Sequence, residues 1–307
     1  MKMNLAIFGA GSIGSLFAGR IAHSGFNISV IGRNPHVTEI RRKGLRIIGN
    51  QHDIISHFPA DTDFQPEVIK PNAVFVTTKA YDNSIVARTM AGKLAEKTPI
   101  LILQNGMGNE EVFQRIFPKN PIFRAITTEA AELIHPGVVK HVSFGKTYFD
   151  VITGQENGYG SKFRNIMRKS GFKAKEVQNI QLTMWQKLLT NAAICPLAAL
   201  LHVPNGQILQ KDSIQQIFDA ILEEGIAVAT QNLPDEDFSI TRDFVLNVIE
   251  KTKNNRCSML QDIERGRKTE IDYLNGFIVR ESHRLGLKAP VNAAIADLIR
   301  HIETYPQ

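Results

Sequence analysis

The feature that most constrains the fold of this chain lies near its beginning, where residues 5–14 read LAIFGAGSIG. The apolar run predicts a strand over 3–8, the residues after it predict a helix over 12–24, and glycines fill the junction. Gly-x-Gly-x-x-Gly between a strand and a helix is the dinucleotide-binding fingerprint, in which the helix N-terminus attracts a pyrophosphate. We therefore predict a dinucleotide cofactor on this segment, which comprises Gly9, Ala10, Gly11, Ser12, Ile13 and Gly14.

The end of the second predicted strand, 27–32, indicates which dinucleotide binds. An NAD site usually carries Asp or Glu about 20 residues past the glycines, to hold the ribose hydroxyls. Arg33 stands in that place with no acid beside it. A carboxylate there would repel a 2′-phosphate, whereas a guanidinium binds it, often through two hydrogen bonds. The prediction is NADP(H), and an exposed arginine at a strand end is the alternative.

Strand and helix signals alternate over the first part of the chain. Such alternation predicts parallel strands joined by crossover helices. After residue 127, a turn at Pro136-Gly137 separates short segments that predict an antiparallel run. We therefore expect a doubly wound, Rossmann-type α/β domain over 1–178. Its predicted strands are 3–8, 27–32, 73–78, 99–103 and 121–127, its helices 12–24, 83–95 and 109–117, and its antiparallel segments 130–135, 138–144 and 148–153.

From residue 179 onward, strand signals disappear. Apolar residues recur at spacings of three and four, which is typical of helices packed on a core. We predict an all-α domain over 179–307, with the active site in the cleft between the two domains. Its predicted helices are 180–201, 212–231, 238–253, 267–286 and 290–304.

Composition limits the function classes. The net charge of +6 and the pI near 9.3 suit an anionic small molecule, but no basic run with interleaved aromatics suggests nucleic acid. No segment is apolar enough to span a membrane, and the first apolar run lacks a signal-peptide cleavage region. Cys195 and Cys257 are expected to be free thiols in a reducing cytoplasm. We predict no metal site, and we leave open a homodimer formed through the helical domain.

Polar residues stand out on the predicted helices of the second domain. Lys187 and Asn191 are four residues apart on one helix face, as are Ser258 and Asp262, and Glu270 opens a later helix. Reduction of a ketone creates an alkoxide that needs a proton, which a lysine can supply, while carboxylate, hydroxyl and amide groups orient the substrate. Taken singly, Lys187 could be a solvated lysine and Glu270 an acid favoured by the helix dipole.

Seven short segments, spread over both predicted domains, form a characteristic series along the chain: Gly9 to Gly14, Thr78 to Ala80, Gln104 to Gly108, Trp185 to Asn191, Pro204 to Gly206, Ser258 to Asp262 and Thr269 to Gly276. Their order resembles that of the ketopantoate reductase (2-dehydropantoate 2-reductase) family. The family implies NADPH-dependent reduction of 2-dehydropantoate to pantoate, a step toward pantothenate and coenzyme A.

The resemblance also implies roles for single residues. Lys187 matches the catalytic lysine that protonates the substrate carbonyl, and Glu270 matches its acidic partner. Lys79 and Asn105 match residues that contact both the cofactor and the substrate. The remaining matches are to substrate-pocket positions, with Ser258 as the expected carboxylate ligand: Asn191, Asn205 and Ser258.

One residue departs from the family pattern. The family often carries a second asparagine one turn after Asn191, where this chain has Cys195. A thiol is a weaker hydrogen-bond donor than an amide, so the pocket is expected to be less polar there. Two alternatives therefore stay open beside ketopantoate reduction. The chain could reduce another 2-oxoacid, or it could bind NADP as a regulator without catalysis.

Overall fold

The structure is a computed structural model that describes residues 3–49, 53–234 and 242–304. The chain divides into two compact units, of which the first comprises Met1–Gln104 and Asn109–Ile180 and the second comprises Asn105–Gly108 and Gln181–Gln307. The short loop Asn105–Gly108 is thus separated in sequence from the rest of its unit.

The first unit alternates strands and helices up to residue 127 and then adds further strands. Its strands are β1 (Asn4–Phe8), β2 (Asn27–Ile31), β3 (Leu45–Ile48), β4 (Ile54–Ser56), β5 (Ala60–Asp61), β6 (Ala73–Val76), β7 (Ile100–Leu103), β8 (Ile122–Thr127), β9 (Ala130–His135), β10 (Val138–Ser143), β11 (Lys146–Thr153) and β12 (Lys173–Glu176). Its helices are α1 (Ser12–His23), α2 (His36–Lys43), α3 (Pro66–Ile69), α4 (Asn83–Met90), α5 (Glu111–Ile116) and α6 (Tyr159–Lys169), with a 3₁₀ turn at Ala80–Asp82.

Eight strands form the main sheet, in the order β12-β11-β8-β7-β6-β1-β2-β5. The chain leaves β1 toward β2 on one side and returns to β6 on the other, so the strand order reverses between β1 and β6. Open α/β sheets bind ligands beyond the carboxyl ends of their strands at such a switch point. The fingerprint glycines follow β1, and Lys79 follows β6. The predicted doubly wound α/β fold is confirmed.

β6 and β7 are apolar throughout, and β1 is apolar after Asn4, because helices cover both faces of the sheet. Along β1, Leu5 and Ile7 belong to one buried cluster and Ala6 and Phe8 to another, as the period of two requires. This burial fixes the strand register, and with it the position of the turn that follows β1.

A second sheet, β4-β3-β10-β9, was only partly predicted. The expected antiparallel pairing of β9 with β10 is confirmed. The third predicted member, β11, instead pairs with β8 in the main sheet. Four short strands had no prediction because two to four residues carry too little periodicity to register as a pattern; these are β3, β4, β5 and β12.

The second unit is helical in its described residues. Its helices are α7 (Ile180–Leu201), α8 (Asp212–Asn232), α9 (Arg242–Lys251), α10 (Ser258–Glu264), α11 (Asn275–Arg284) and α12 (Pro290–Thr304), with 3₁₀ turns at Asn205–Gln207 and Ile271–Tyr273. The expected all-α character of the C-terminal part is confirmed. The predicted start of a helix at 238 lies outside the described residues.

The predicted helix over 267–286 is wrong in its first part. Glu270 precedes the 3₁₀ turn Ile271–Tyr273, and Leu274 then takes φ −108° and ψ −103°, which interrupts any helix before α11. Glu270 therefore lies on a tight turn and not on a helix start. The apolar residues of this segment have helical spacing, which is why the sequence pattern could not reveal the break.

Candidate active site

The fingerprint turn joins β1 to α1 and leaves no room for side chains at two of its glycines. Gly9 has φ +111°, and a Cβ there would lie 2.5 Å from the backbone nitrogen of Thr78. A Cβ on Gly14 would lie 1.9 Å from the carbonyl oxygen of Gly9. The turn and the packing of the helix on the strand therefore explain both glycines without any ligand.

Gly11 is different because the fold does not require a glycine there. Its φ of −76° and ψ of −170° suit any residue, and no heavy atom lies within 4 Å of the position that its Cβ would occupy. The missing side chain leaves open space in front of the N-terminus of α1. A dinucleotide pyrophosphate needs this kind of close backbone approach, so the segment fits such a cofactor.

The other fingerprint residues fix the turn to the protein. Ala10 and Ile13 pack against the core of the first unit. The hydroxyl of Ser12 accepts a hydrogen bond of 3.1 Å from the backbone nitrogen of Leu133, on β9. The three side chains thus anchor the start of α1.

Arg33 lies at the end of β2, as expected, but it does not stand alone. Its guanidinium forms a 2.9 Å ion pair with Asp82, which sits on the 3₁₀ turn after β6, and its side chain is 80% exposed. No sequence pattern predicted this acidic neighbour, which is 49 residues away. An anion that binds Arg33 has to compete with the Asp82 carboxylate.

Lys79 is half-buried between β6 and the same 3₁₀ turn. The ends of β6 and β7 are tied together beside it. The side-chain amide of Gln104 donates to the backbone carbonyl of Thr78 at 2.8 Å and to the side-chain oxygen of Asn83 at 2.7 Å, in a buried network. This network holds Lys79 and the carboxyl ends of both strands in a defined place.

The second unit contains a small pocket whose walls come from separate segments of the chain. Most of its lining residues are polar, and they include six that the sequence singled out. The lining comprises Asn105, Asn191, Cys195, Ser258, Met259, Asp262, Glu270 and Leu274. Glu270 and Asp262 are 7% and 6% exposed, so two carboxylates face a largely dry site.

Lys187 reaches this pocket through Asn105. The ammonium nitrogen of Lys187 donates a 2.8 Å hydrogen bond to the side-chain oxygen of Asn105, although the two residues are 82 positions apart. Lys187, Asn191 and Cys195 follow each other at intervals of four on α7, so one helix face carries the lysine and two lining residues.

The loop that carries Asn105 rests on the turn after Glu270. The backbone nitrogen of Met107 donates to the Tyr273 carbonyl at 3.0 Å, and Gly106, with φ +76°, passes so close that a Cβ would lie 2.4 Å from that carbonyl. Gly106 is therefore needed for a close backbone approach. This contact places Asn105 and Glu270 in the same pocket.

Asn205 was predicted to contact the substrate, but it does not line the pocket. It is buried, and its amide donates 3.0 Å to the hydroxyl of Thr252. Among the described residues that line the pocket, Asn205 does not occur. Met259 and Leu274 do line it and were not predicted, because an apolar residue in a helical pattern is indistinguishable from core.

A proline in α7 gives the pocket helix a further anchor. Pro196 has no backbone N–H, so the carbonyl of Ala192, four residues earlier, lacks its usual helical partner. The fully buried Asn275 donates to this carbonyl at 3.1 Å and to the side-chain oxygen of Asn292 at 3.0 Å. The segment that carries Glu270 is thus tied to the turn of α7 between Asn191 and Cys195.

Among residues 3–49, 53–234 and 242–304, no helix is both long and apolar enough to cross a bilayer. In the same residues, no cluster of three or more His, Cys, Asp or Glu side chains could hold a metal ion.

Comparison with known proteins identifies one family over nearly the whole chain. Residues 5–154 match the family described as ketopantoate reductase PanE/ApbA, and residues 179–303 match its C-terminal domain. The 2-dehydropantoate 2-reductase of Pyrococcus abyssi is 35% identical over 298 residues, which cover 97% of each chain.

Solved structures also resemble this chain over nearly its whole length. A PanE/ApbA family ketopantoate reductase from Ralstonia eutropha JMP134 is 28% identical and superposes with a TM-score of 0.89, covering 99% of this chain and all of the other. A D-mandelate dehydrogenase solved with NADH and anilino(oxo)acetate is 26% identical, with a TM-score of 0.86 and 98% coverage of both chains. These likenesses indicate a nicotinamide cofactor. The chain belongs to the ketopantoate reductase family.

Proposed function

We propose that this chain reduces the ketone of 2-dehydropantoate to the secondary alcohol of pantoate, with NADPH as the reductant. The observation that carries the proposal is the hydrogen bond between Lys187 and Asn105 at a pocket that Ser258 and Glu270 also line. A cation, an amide, a hydroxyl and a carboxylate are the groups that bind a 2-oxoacid and protonate its carbonyl oxygen. Family membership supports the same reaction.

The cofactor is assigned to the first domain, 1–178, and the substrate to the second, 179–307. The open space at Gly11 would take the pyrophosphate, and Arg33 would bind the 2′-phosphate of NADP(H) after releasing Asp82. Lys79 and Asn105 complete the contacts proposed for the cofactor. The fingerprint residues would supply the backbone contacts to the cofactor, and these residues are Gly9, Ala10, Gly11, Ser12, Ile13 and Gly14.

Lys187 is proposed to act as the general acid. NADPH, when bound, supplies the hydride that converts the trigonal C2 into a tetrahedral carbon. Negative charge then develops on the C2 oxygen, and the ammonium group of Lys187 stabilises it and donates the proton. Asn105 holds the Lys187 side chain in place before the reaction. Glu270 balances the positive charge of the lysine and helps to orient the substrate.

The substrate carboxylate is assigned to Ser258 and Asn191, two residues of the pocket lining. Ser258 follows Cys257 at the start of α10, and its hydroxyl can donate to a carboxylate oxygen. The amide of Asn191 can donate a second hydrogen bond from the α7 side of the lining. Asn205, whose amide is engaged with Thr252, stays a weaker proposal for substrate contact.

Cys195 favours a second candidate, a reductase of the same chemistry that acts on another 2-oxoacid. Its thiol lines the pocket together with Met259 and Leu274, so part of the pocket wall is apolar. The matched D-mandelate dehydrogenase was solved with anilino(oxo)acetate, whose oxoacid group carries a bulkier substituent than ketopantoate. An apolar wall accepts a substituent without a hydroxyl at little cost.

The test follows NADPH oxidation by absorbance, with 2-dehydropantoate as the substrate. NADH is run in parallel, as are 3,3-dimethyl-2-oxobutanoate, which lacks only the terminal hydroxyl, and phenylglyoxylate. We expect the highest kcat/KM with NADPH and 2-dehydropantoate. A preference for either analogue would favour the second candidate and identify the apolar wall as its cause.

Cofactor binding is measured separately by NADPH fluorescence. Tight NADPH binding with no turnover on any of these oxoacids would overturn the proposed reaction and leave the alternative of a regulator that binds NADP. Equal rates with NADH and NADPH would overturn only the role of Arg33.

A further inference from the structure

The two cysteines of the chain meet beside the pocket, although they are 62 residues apart in sequence. Cys195 is buried on α7 and lines the pocket, and Cys257 is half-buried just before α10. The Cys257 sulfur lies 3.5 Å from the backbone carbonyl oxygen of Cys195. The Cys195 side chain is also the neighbour with the largest influence on the pKa of Cys257.

The surroundings of the two sulfurs are unequal. The sulfur of Cys257 accepts a hydrogen bond of 3.4 Å from the backbone nitrogen of Leu260. The hydrogen bond from Cys195 lowers the pKa of Cys257, against the opposing effects of burial and of the Asp262 charge. The same hydrogen bond, together with burial, raises the pKa of Cys195, against the smaller opposing effect of Lys187. Cys257 is therefore the thiol that ionises first, and it is also the more accessible one.

We propose that Cys195 and Cys257 form an oxidisable dithiol, a modification site at which a peroxide converts both thiols into one disulfide. They are the only two cysteines in the chain, so a single intramolecular pairing is possible. Neither has a role in the proposed reduction.

The chemistry proceeds in two balanced steps. The thiolate of Cys257 attacks one oxygen of hydrogen peroxide, the O–O bond breaks, an S–O bond forms, and hydroxide leaves. The product is a sulfenic acid on Cys257. The sulfur of Cys195 then attacks the Cys257 sulfur, forming the S–S bond and breaking the S–O bond. The departing hydroxyl takes the Cys195 proton and leaves as water, so both sulfurs are oxidised. The hydroxide from the first step takes up the proton that Cys257 released on ionising, so one peroxide is reduced to two waters. A dithiol reductant reverses the change.

The disulfide alters the pocket because each cysteine is connected to lining residues. Cys195 itself lines the pocket, and Cys257 directly precedes Ser258, the residue assigned to the substrate carboxylate. A covalent bond between α7 and the start of α10 fixes their separation. A small displacement of substrate-binding groups lowers the rate strongly, so we expect kcat/KM to fall about tenfold or more. This effect on turnover rests on the proposed function, whereas formation of the bond does not.

The experiment treats the reduced, full-length protein with hydrogen peroxide and alkylates the remaining thiols. Mass spectrometry of the digest then identifies a cross-linked peptide that contains Cys195 and Cys257. Turnover and NADPH binding are measured on the same samples, before and after reduction with dithiothreitol. We expect the cross-link to form, turnover to fall with it, and both to be reversed by the reductant while NADPH binding is unchanged.

Cys257→Ser is the matched control. Serine is a favoured residue at a helix N-cap, the position that Cys257 holds before α10, so the variant keeps the start of that helix. Its turnover after peroxide is compared with its own reduced state. Retained turnover in the variant supports the proposal. Equal losses in variant and wild type, or thiols that stay alkylatable or bond only between molecules, would overturn it.

The result is separable from the proposed function. A cross-link in a protein that reduces no oxoacid would support the modification site and reject the reduction. A protein that reduces the oxoacid normally but forms no cross-link would support the reduction and reject the modification site. A cross-link that leaves turnover unchanged would overturn the effect on the pocket.

Discussion

In the first unit, the candidate cofactor site is built around one short segment, Gly9 to Gly14, that acts mainly through its backbone. In the second unit, the candidate substrate pocket collects side chains from segments as distant in sequence as Asn105 and Glu270. The first site depends on the absence of side chains, and the second depends on their identity. Substitutions should therefore damage the two sites in different ways, by filling space in the first and by removing a functional group in the second.

The largest effect is expected in the pocket, for Lys187→Ala. Without the ammonium group, no general acid protonates the developing alkoxide, so kcat should fall by about 10²–10⁴. The stability and NADPH affinity should stay near those of the wild type, because Lys187 is assigned to the reacting atoms only. Steady-state kinetics, thermal unfolding and NADPH fluorescence measure the three quantities.

Asn105→Ala is the companion variant to Lys187→Ala. It removes the hydrogen-bond acceptor of Lys187 but keeps the ammonium group. The loss in kcat should be smaller than that of Lys187→Ala. Turnover of Lys187→Ala at a wild-type rate would remove the catalytic assignment altogether.

The fingerprint should respond to added volume, and the two glycines Gly14 and Gly11 should respond differently. Gly14→Ala places a Cβ 1.9 Å from the Gly9 carbonyl oxygen, within the protein itself. We expect it to lower the free energy of unfolding by about 1–3 kcal/mol or more. Gly11→Ala meets no atom within 4 Å and should unfold like the wild type while it weakens NADPH binding.

The measurements are chemical denaturation and NADPH titration of both variants. Unchanged NADPH affinity in Gly11→Ala would mean that the open space is not the pyrophosphate site. A loss of stability in that variant would mean that the glycine is needed by the fold after all.

These two sites also differ in how far the sequence could predict them. The fingerprint was recognisable because its residues are contiguous and lie between an evident strand and an evident helix. The pocket residues were named mainly through a family resemblance, since Lys187 or Glu270 alone has an ordinary structural explanation. The sequence predicted Glu270 on a helix, and the interruption at Leu274 depends on a backbone conformation that apolar periodicity does not encode.

Side-chain partners from distant segments were the second kind of feature that the sequence could not predict. Asp82 beside Arg33 and Cys257 beside Cys195 are side-chain contacts between distant segments, and no local pattern specifies them. Asn275 is an intermediate case. Pro196 inside a helical pattern already indicates that the Ala192 carbonyl needs another donor, but the identity of that donor is set by tertiary packing.

Asn275, the donor to the Ala192 carbonyl, leads to a prediction about the stability of the second unit. Asn275→Ala should leave the buried Ala192 carbonyl without a partner and lower the free energy of unfolding by about 1–3 kcal/mol. Pro196→Ala restores the helical N–H to the same carbonyl. The double variant should therefore lose less stability than the sum of the single variants, and a double-mutant cycle of denaturation curves measures that coupling.

Strict additivity in this cycle would show that Asn275 stabilises the unit only through its other contact, with Asn292. Coupling would instead show that α7 relies on Asn275 for the geometry of the turn that bears Asn191 and Cys195. KM for the oxoacid should then rise in Asn275→Ala and recover in the double variant.

The smallest effect is expected at Arg33, a position where the proposed cofactor site relies on a side chain. Arg33→Ser removes the proposed 2′-phosphate contact, and we expect about a tenfold loss in NADPH affinity with little change for NADH, as for the loss of one exposed charge-assisted hydrogen bond. Asp82→Asn removes the competing carboxylate and should tighten NADPH binding a few-fold. Fluorescence titrations with both cofactors at low and high salt measure the difference.

Arg242→Ser is the control for a general effect of charge, because Arg242 forms a comparable exposed ion pair of 2.6 Å with Asp219 in the other unit. It should leave the affinities for NADPH and NADH unchanged. If Asp82→Asn weakens NADPH binding, the ion pair holds Arg33 in its binding position and does not compete with the phosphate. Equal losses for both cofactors in Arg33→Ser would remove the basis for NADP selectivity, because Arg33 would then act on a part that both cofactors share and not on the 2′-phosphate.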